Sequence, residues 1–214
     1  MPDKKLIEYR REYLAGELLE ENILKDPHLQ FSYWLDEAIL SGINDPTAMA
    51  LATSDASGNP SVRIVLLKYA RPEGFVFFTN YQSRKARELD DNPRAAVMFF
   101  WPGLERQVRI EGKIEKISIG ESNEFFRSRP VGSRIASIIS PQGEVIPARG
   151  FLEQKFQEYC TTLDDEMIER PDHWGGYILK PESYEFWQGR ENRLNDRIQY
   201  VLLDGRWGIS RLAP

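Results

Sequence analysis

From residue 47 onward the hydrophobic period of this 214-residue chain changes from helical to strand-like. The runs at 47–54, 61–69, 75–80, 94–101 and 106–118 are rich in β-branched and aromatic residues. Short turn signals separate them: Ser57-Gly58-Asn59-Pro60, Pro72-Glu73-Gly74 and Pro102-Gly103. Strands that follow one another through such turns pair antiparallel, and closing the sheet on itself removes its exposed edges. The expectation is a mainly β fold, an antiparallel β-barrel with peripheral helices.

The remaining segments supply those helices. Residues 3–21 read as a charged, helical start with a partial apolar face of Leu6, Ile7, Leu14 and Leu18. Asp26 caps a second helix with Pro27 in its first turn, carrying Phe31, Trp34, Leu35, Ala38 and Ile39 to Gly42. A short helix at 84–91 is stopped by Asn92-Pro93, and helical stretches follow at 120–126, 133–139 and 151–167. Strands return at 176–180, 183–187 and 198–203, then Asp204-Gly205 turns into 207–210. No repeat or linker interrupts this order.

Composition excludes several classes. The net charge of −5 disfavours a dedicated nucleic-acid binder, yet basic residues cluster at 63–68, 84–87, 127–134 and 190–197, which suits small anionic ligands. The single Cys160 allows no intrachain disulfide and fits a reducing cytosol. His28 and His173 lie too far apart for a His/Cys zinc site. With neither a signal core nor a membrane-length apolar run, the expected location is cytoplasmic, with no membrane partner. Gly-x-Gly-x-x-Gly, the P-loop and a His-supported nucleophile are absent, so difficult chemistry would fall to an organic cofactor.

The basic clusters then become informative. In 185–197, Trp187, Arg190, Arg193 and Arg197 precede an apolar strand-like run. The β-forming flanks and Gly189 favour an extended rim with Arg193, Asn195 and Arg197 on one side, suited to a planar anionic ligand. A solvated edge with Glu191 and Asp196 paired to the arginines is the alternative. In Ser83-Arg84-Lys85-Ala86-Arg87 the cations occupy the positive end of a helix, an unfavourable order that a phosphate at the N-terminus would reverse. Arg63 and Lys68 are five residues apart, so a regular strand sends them to opposite faces unless it bends. Arg127, Arg129, Ser133 and Arg134 offer cations and hydroxyls where a helix gives way to a loop, and Gln107 can meet a polar ring edge.

Taken together, these segments resemble the pyridoxine/pyridoxamine 5′-phosphate oxidase family. The resemblance is carried by RREY at 10–13, RIVLLK at 63–68, FFTN at 77–80, SRKA at 83–86 and ERQVRIEG at 105–112. It continues through SRP at 128–130, ARG at 148–150, LEQKF at 152–156, WGGY at 174–177, FWQG at 186–189, RLNDR at 193–197 and RLAP at 211–214. It implies a split-barrel homodimer, a single domain over 21–214, and an N-terminal segment over 1–20 that closes over the site. It further implies FMN at the subunit interface, and oxidation of pyridoxamine or pyridoxine 5′-phosphate by oxygen to pyridoxal 5′-phosphate, with release of hydrogen peroxide and, from the amine after hydrolysis, ammonia. The residues implied for FMN are Arg63, Lys68, Phe78, Thr79, Arg84, Lys85, Gln107, Gln142, Trp187 and Arg197. Those implied for substrate are Arg10, Tyr13, Lys68, Phe125, Arg129, Ser133, Arg193 and Asn195, with Arg193 and Asn195 at the reacting centre.

Three positions depart from the family pattern. Phe125 stands where Tyr is common, Asn195 where His is common, and Gly143 where Ser is common. Asn195 hydrogen-bonds but cannot act as an acid near neutral pH. Two rivals share these features: a split-barrel flavoprotein with another substrate, and a non-catalytic FMN or pyridoxal-phosphate carrier.

Overall fold

The computed structural model describes residues 11–162 and 167–214. Five α-helices and nine strands occur among them. In chain order they are α1 (Pro27–Leu40), β1 (Ala48–Ser54), β2 (Pro60–Leu66), β3 (Tyr69–Arg71), β4 (Gly74–Asn80), α2 (Arg84–Asp91), β5 (Arg94–Trp101), β6 (Arg106–Lys116), α3 (Ile119–Ser128), α4 (Val131–Ile139), α5 (Arg149–Thr162), β7 (Trp174–Gln188), β8 (Asp196–Leu203) and β9 (Arg206–Arg211). The hydrogen-bonded path runs β2-β1-β5-β6-β7-β4-β3, with β8 joined to β7 and β9 to β8. The mainly β, antiparallel expectation is met.

Contacts divide the chain into two compact units. The first holds the residues up to Met49, with Val97–Ile110 and Glu182–Pro214; the second holds Ala50–Ala96 and Glu111–Pro181. In the first unit, Asp26 caps α1 as expected, accepting from the backbone of His28 at 2.8 Å and Leu29 at 3.4 Å. The helix buries Phe31 against Phe99 (4.9 Å between ring centres) and Trp34 edge-on against Phe186 (5.2 Å). A fully buried aromatic of this kind contributes about 1.5–3 kcal/mol. In the second unit, Phe75, Val76 and Phe77 of β4 and Tyr177 and Leu179 of β7 are all buried, with Phe77 stacked on Tyr177 at 5.7 Å between ring centres. A further cluster joins Phe126, Ile135, Ile139, Ile168 and Trp174.

Several expectations change. Residues 11–19 are not helical, because distant acceptors hold their backbone: Ala15 N–H donates to Glu105 (2.9 Å) and Leu18 N–H to Asp196 (3.0 Å). The expected strand at 61–69 ends at Leu66 and turns, with Lys68 N–H donating to Val76 O at 2.8 Å, before β3 begins. The strands expected at 176–180 and 183–187 are one, β7. It pairs with β4 over 174–179 and with β8 over 183–188, so Pro181 falls in the gap between the two ladders. The helix expected over 151–167 is described from Arg149 to Thr162.

The WGGY glycines are explained by crowding rather than by turns. A Cβ on Gly175 would lie 2.2 Å from the Tyr81 hydroxyl, and one on Gly176 would lie 2.5 Å from Ile117. Gly112 is tighter still, since its Cβ would sit 2.0 Å from the Lys180 carbonyl oxygen.

Candidate functional site

The site residues expected from the sequence fall into two groups, one in each unit. In the second unit they line a cleft of about 650 Å³. Arg63 and Val65 come from β2, Lys68 from its end, Phe78 and Thr79 from β4 and Lys85 from α2. Phe125 and Arg129 come from the end of α3, Ser133 and Ser137 from α4, followed by Gln142 and Trp174. The turn after Leu66 is what brings Arg63 and Lys68 to one cavity, so the strand bends as one of the two readings required. An adjoining cavity of about 630 Å³ between α4 and α5 is lined by a single cation, Arg149, which Glu153 neutralises at 2.6 Å. The cation-rich cleft is therefore the better anion site.

Lys85 is the best-defined donor in that cleft. Its ammonium donates to Thr79 Oγ1 (3.0 Å), Ser83 Oγ (3.3 Å) and Gln142 Oε1 (2.9 Å). Burial, helped by the nearby Arg63, pulls its pKa down to about 8. Such a desolvated cation favours an anionic partner. Thr79 also donates to Gln142 at 3.1 Å, which ties together three residues expected at one cofactor.

Ser83 does not cap α2 through its side chain. Its hydroxyl donates to Asn80 O (2.7 Å), and Arg84 reaches along the helix to Glu88 (2.7 Å). Glu88, which sequence reasoning passed over, is buried, and it also pairs with Arg63 at 3.3 Å. Its i+4 spacing from Arg84 was the available signal.

The floor of the cleft is aromatic. Phe78 stacks on Phe125 at 3.9 Å and on Trp174 at 5.4 Å. The Arg129 guanidinium lies 4.6 Å over the Trp174 ring and donates to Ser137 Oγ at 2.7 Å. Burial lowers the Arg129 pKa, though a guanidinium stays charged at any working pH. Phe125 thus offers a stacking surface where a hydroxyl was the family expectation.

The second group lies in the first unit, where the extended rim expected over 185–197 is not formed. β7 ends at Gln188, a 3₁₀ turn spans Glu191–Arg193 and β8 starts at Asp196. Arg193 is exposed in a left-handed conformation (φ 62°) directly after Asn192 (φ 55°). Asn192 N–H donates to Glu12 at 3.0 Å, and Asn195 Oδ1 accepts from Arg190 N–H at 3.1 Å, closing the loop. Asn195 and Arg197 do alternate with buried Asp196, so these two share a face.

Much of this rim is paired, as the alternative reading held for Asp196, although the other partners are Glu17 and Glu185 rather than Glu191. Arg197 bonds Glu185 (2.9 Å) and Ala213 O (2.7 Å), and the Glu185 hydrogen bond raises its pKa. Arg190 pairs with Glu17 (3.1 Å) and Asp196 (3.3 Å). Tyr13 meets Trp187 edge-on at 5.7 Å and packs so closely on Gly189 that a Cβ there would lie 2.7 Å from its ring. Gln107, on β6, is half-buried. Arg10 lies outside the described residues. Among those described, no group of acidic, His and Cys side chains could hold a metal ion, and no helix is long and apolar enough to cross a membrane.

Comparison with known proteins bears on this arrangement directly. The profile described as pyridoxamine 5′-phosphate oxidase matches residues 35–162. The one described as the pyridoxine 5′-phosphate oxidase C-terminal dimerisation region matches 174–214. Proteins named pyridoxine/pyridoxamine 5′-phosphate oxidase are similar along almost their whole length. The one from Cupriavidus necator is 51% identical, covering 98% of this chain and 99% of its own. The one from Nostoc is 46% identical, covering 99% of this chain and 100% of its own. Among solved structures, PhzG from Burkholderia lata, in complex with tetrahydrophenazine-1-carboxylic acid, superposes with a TM-score of 0.87 at 26% identity, covering 94% of this chain and all of that one. An FMN-binding protein from Nostoc punctiforme, related to pyridoxamine 5′-phosphate oxidase, gives 0.70 at 18% identity, over 86% of this chain and 97% of its own, and supports the split-barrel fold. With both profiles matched in order and half of all positions shared with relatives of the same length, the chain belongs to the pyridoxine/pyridoxamine 5′-phosphate oxidase family.

Proposed function

We propose that this protein is the FMN-dependent oxidase that converts pyridoxamine or pyridoxine 5′-phosphate to pyridoxal 5′-phosphate, in vitamin B6 synthesis and salvage. The observation that carries the reading is the convergence of Lys68, Lys85, Arg63 and Arg129 on one cleft with an aromatic floor. That chemistry fits ligands that are planar at one end and phosphorylated at the other. The residues present fit FMN: Arg63, Arg84 and Lys85 would hold its phosphate, with Thr79 and Gln142 supplying polar contacts. When bound, FMN supplies the hydride acceptor and passes the electrons to oxygen, yielding hydrogen peroxide.

The chain's own residues position and stabilise. Lys68, Arg129 and Ser133 clamp the substrate's phosphate, which fixes its ring for transfer. Arg193 covers the substrate ring and stabilises charge that develops as C4′ is oxidised. Asn195 closes the loop that carries Arg193 and moves no proton. Phe78 and Phe125 form an apolar wall in the cleft. Tyr13, packed against Trp187 and Gly189, belongs to the segment that would cover the site. The protein acts as a cytoplasmic homodimer, in keeping with its match to a dimerisation region.

An absorption spectrum before and after anaerobic addition of pyridoxamine 5′-phosphate tests this. A two-band flavin spectrum that bleaches and recovers in air is the expected result. A flavin spectrum that does not bleach would transfer the fold to another substrate, and a protein that FMN cannot reconstitute would reject the reading.

A further inference from the structure

A carboxylate buried beside a phosphate site is at first sight the wrong charge in the wrong place. Glu88 is 4% exposed, on the turn of α2 that follows Arg84 and Lys85. Burying an ionised carboxyl is costly unless its oxygens are fully hydrogen-bonded. Here they are. Oε2 accepts from Thr53 Oγ1 (2.5 Å), Ser61 Oγ (2.5 Å) and Arg63 Nη2 (3.3 Å), and Oε1 accepts from Arg84 Nε (2.7 Å). Burial pushes the carboxyl's pKa up, but the bonds from Ser61, Thr53 and Arg84 outweigh it and hold the pKa down at about 2.

The partners come from separate elements. Thr53 lies on β1, Ser61 and Arg63 on β2, and Arg84 on α2. Arg63 is further fixed by Nη1 bonds to Leu51 O (3.1 Å) and Thr53 Oγ1 (2.5 Å), and by Nη2 to Ser61 Oγ. Both of its terminal nitrogens are thus engaged by the protein, and among the described residues Glu88 bonds both guanidiniums. Arg84 contacts the carboxylate through Nε alone, and its side chain is 65% exposed.

We propose that Glu88 is a positioning residue for phosphate recognition: its carboxylate sets the spacing of Arg63 and Arg84 so that Arg84 and Lys85, with the remaining Nε–H of Arg63, receive the 5′-phosphate of FMN, while Glu88 itself touches no ligand. The proposal rests on the FMN reading above. Two opposing effects are in play. The carboxylate repels a phosphate, so removing it could tighten binding; losing the shared acceptor frees two arginines, which weakens it. The density of bonds on Glu88 makes the second effect the larger, because in Glu88→Gln an amide would face donors from Thr53, Ser61 and Arg63.

The test compares FMN with riboflavin, which carries the same ring and no phosphate, by flavin fluorescence titration of the apoprotein. Wild type binds FMN far more tightly than riboflavin. In Glu88→Gln and Glu88→Ala the FMN Kd rises about tenfold or more while the riboflavin Kd stays within about twofold. Thr53→Val with Ser61→Ala removes the hydroxyl donors and keeps every charge; it weakens FMN about threefold, again leaving riboflavin unchanged, and reads the same network should the Glu88 variants not fold. Equal loss of both ligands, or tighter FMN binding, overturns the positioning role and leaves the cofactor assignment intact. A wild-type protein that does not discriminate FMN from riboflavin overturns the cofactor assignment and this proposal with it.

Discussion

In the FMN site proposed above, Lys85 carries a predictable pH response. In the protein alone its pKa is pulled down to about 8, chiefly by burial and next by Arg63, while its hydrogen-bond acceptors are the neutral groups of Thr79, Ser83 and Gln142. A bound phosphate stays dianionic above about pH 7, since its second pKa is about 6, and favours the charged lysine. The pKa in the complex therefore exceeds that of the free protein. Binding takes up a proton between the two values, so affinity is greatest below about pH 8 and falls as pH rises, by at most about tenfold per unit. Folding stability of the protein alone moves the other way. The unfolded lysine, near 10.5, binds more protons than the folded one, so stability rises from about pH 8 toward 10.5.

Flavin fluorescence titrations between about pH 7 and 9.5 read this out. Calorimetry in two buffers of different ionisation enthalpy counts the proton. Lys85→Arg removes the pH dependence, because a guanidinium does not titrate. Lys85→Gln loses a charge-assisted hydrogen bond of about 1.5–3 kcal/mol, weakening FMN about 10- to 150-fold near pH 7. A wild-type affinity that is flat across this range, or a pH dependence that survives in Lys85→Arg, refutes the reasoning.

Two further outcomes follow from the geometry. Arg193→Ala keeps FMN bound and lowers turnover by about 10²–10³-fold, the scale of losing one electrostatic group at a reacting centre, and steady-state rates near wild type would remove Arg193 from the reaction. Gly112→Ala forces a methyl to within 2.0 Å of the Lys180 carbonyl oxygen. It costs about 3 kcal/mol, a fall in Tm of about 6–12 °C by calorimetry, and an unchanged Tm would refute the tight approach of backbone there.

The strands, α1 with its Asp26 cap and the short α2 were legible because each is written in local period and punctuation. What escaped was set by partners far along the chain. The sequence split β7 into two strands, and Pro181 is accommodated within it because the ladder with β4 stops at Leu179 and the ladder with β8 starts at Ser183. The N-terminal segment carried a helical pattern, but Glu105 and Asp196 drew its N–H groups elsewhere. Arg63, Lys68, Thr79, Lys85, Phe125, Arg129, Ser133 and Gln142 were found as candidates and do line one cleft. The link between Arg84 and Glu88 was visible in spacing, yet the burial of Glu88 depends on Thr53 and Ser61, more than two dozen residues away. The extended rim failed for a conformational reason, since two consecutive left-handed residues cannot be read from an Asn-Arg pair.

Those two residues also set stability against usefulness. Asparagine visits the left-handed region readily, but an arginine held there costs about 1–2 kcal/mol that a glycine would not. A library selected for heat resistance alone would favour glycine at position 193 and would discard the guanidinium proposed to face the substrate. Thermostabilisation of this enzyme should leave the 190–195 loop untouched and look for its gains in the strands.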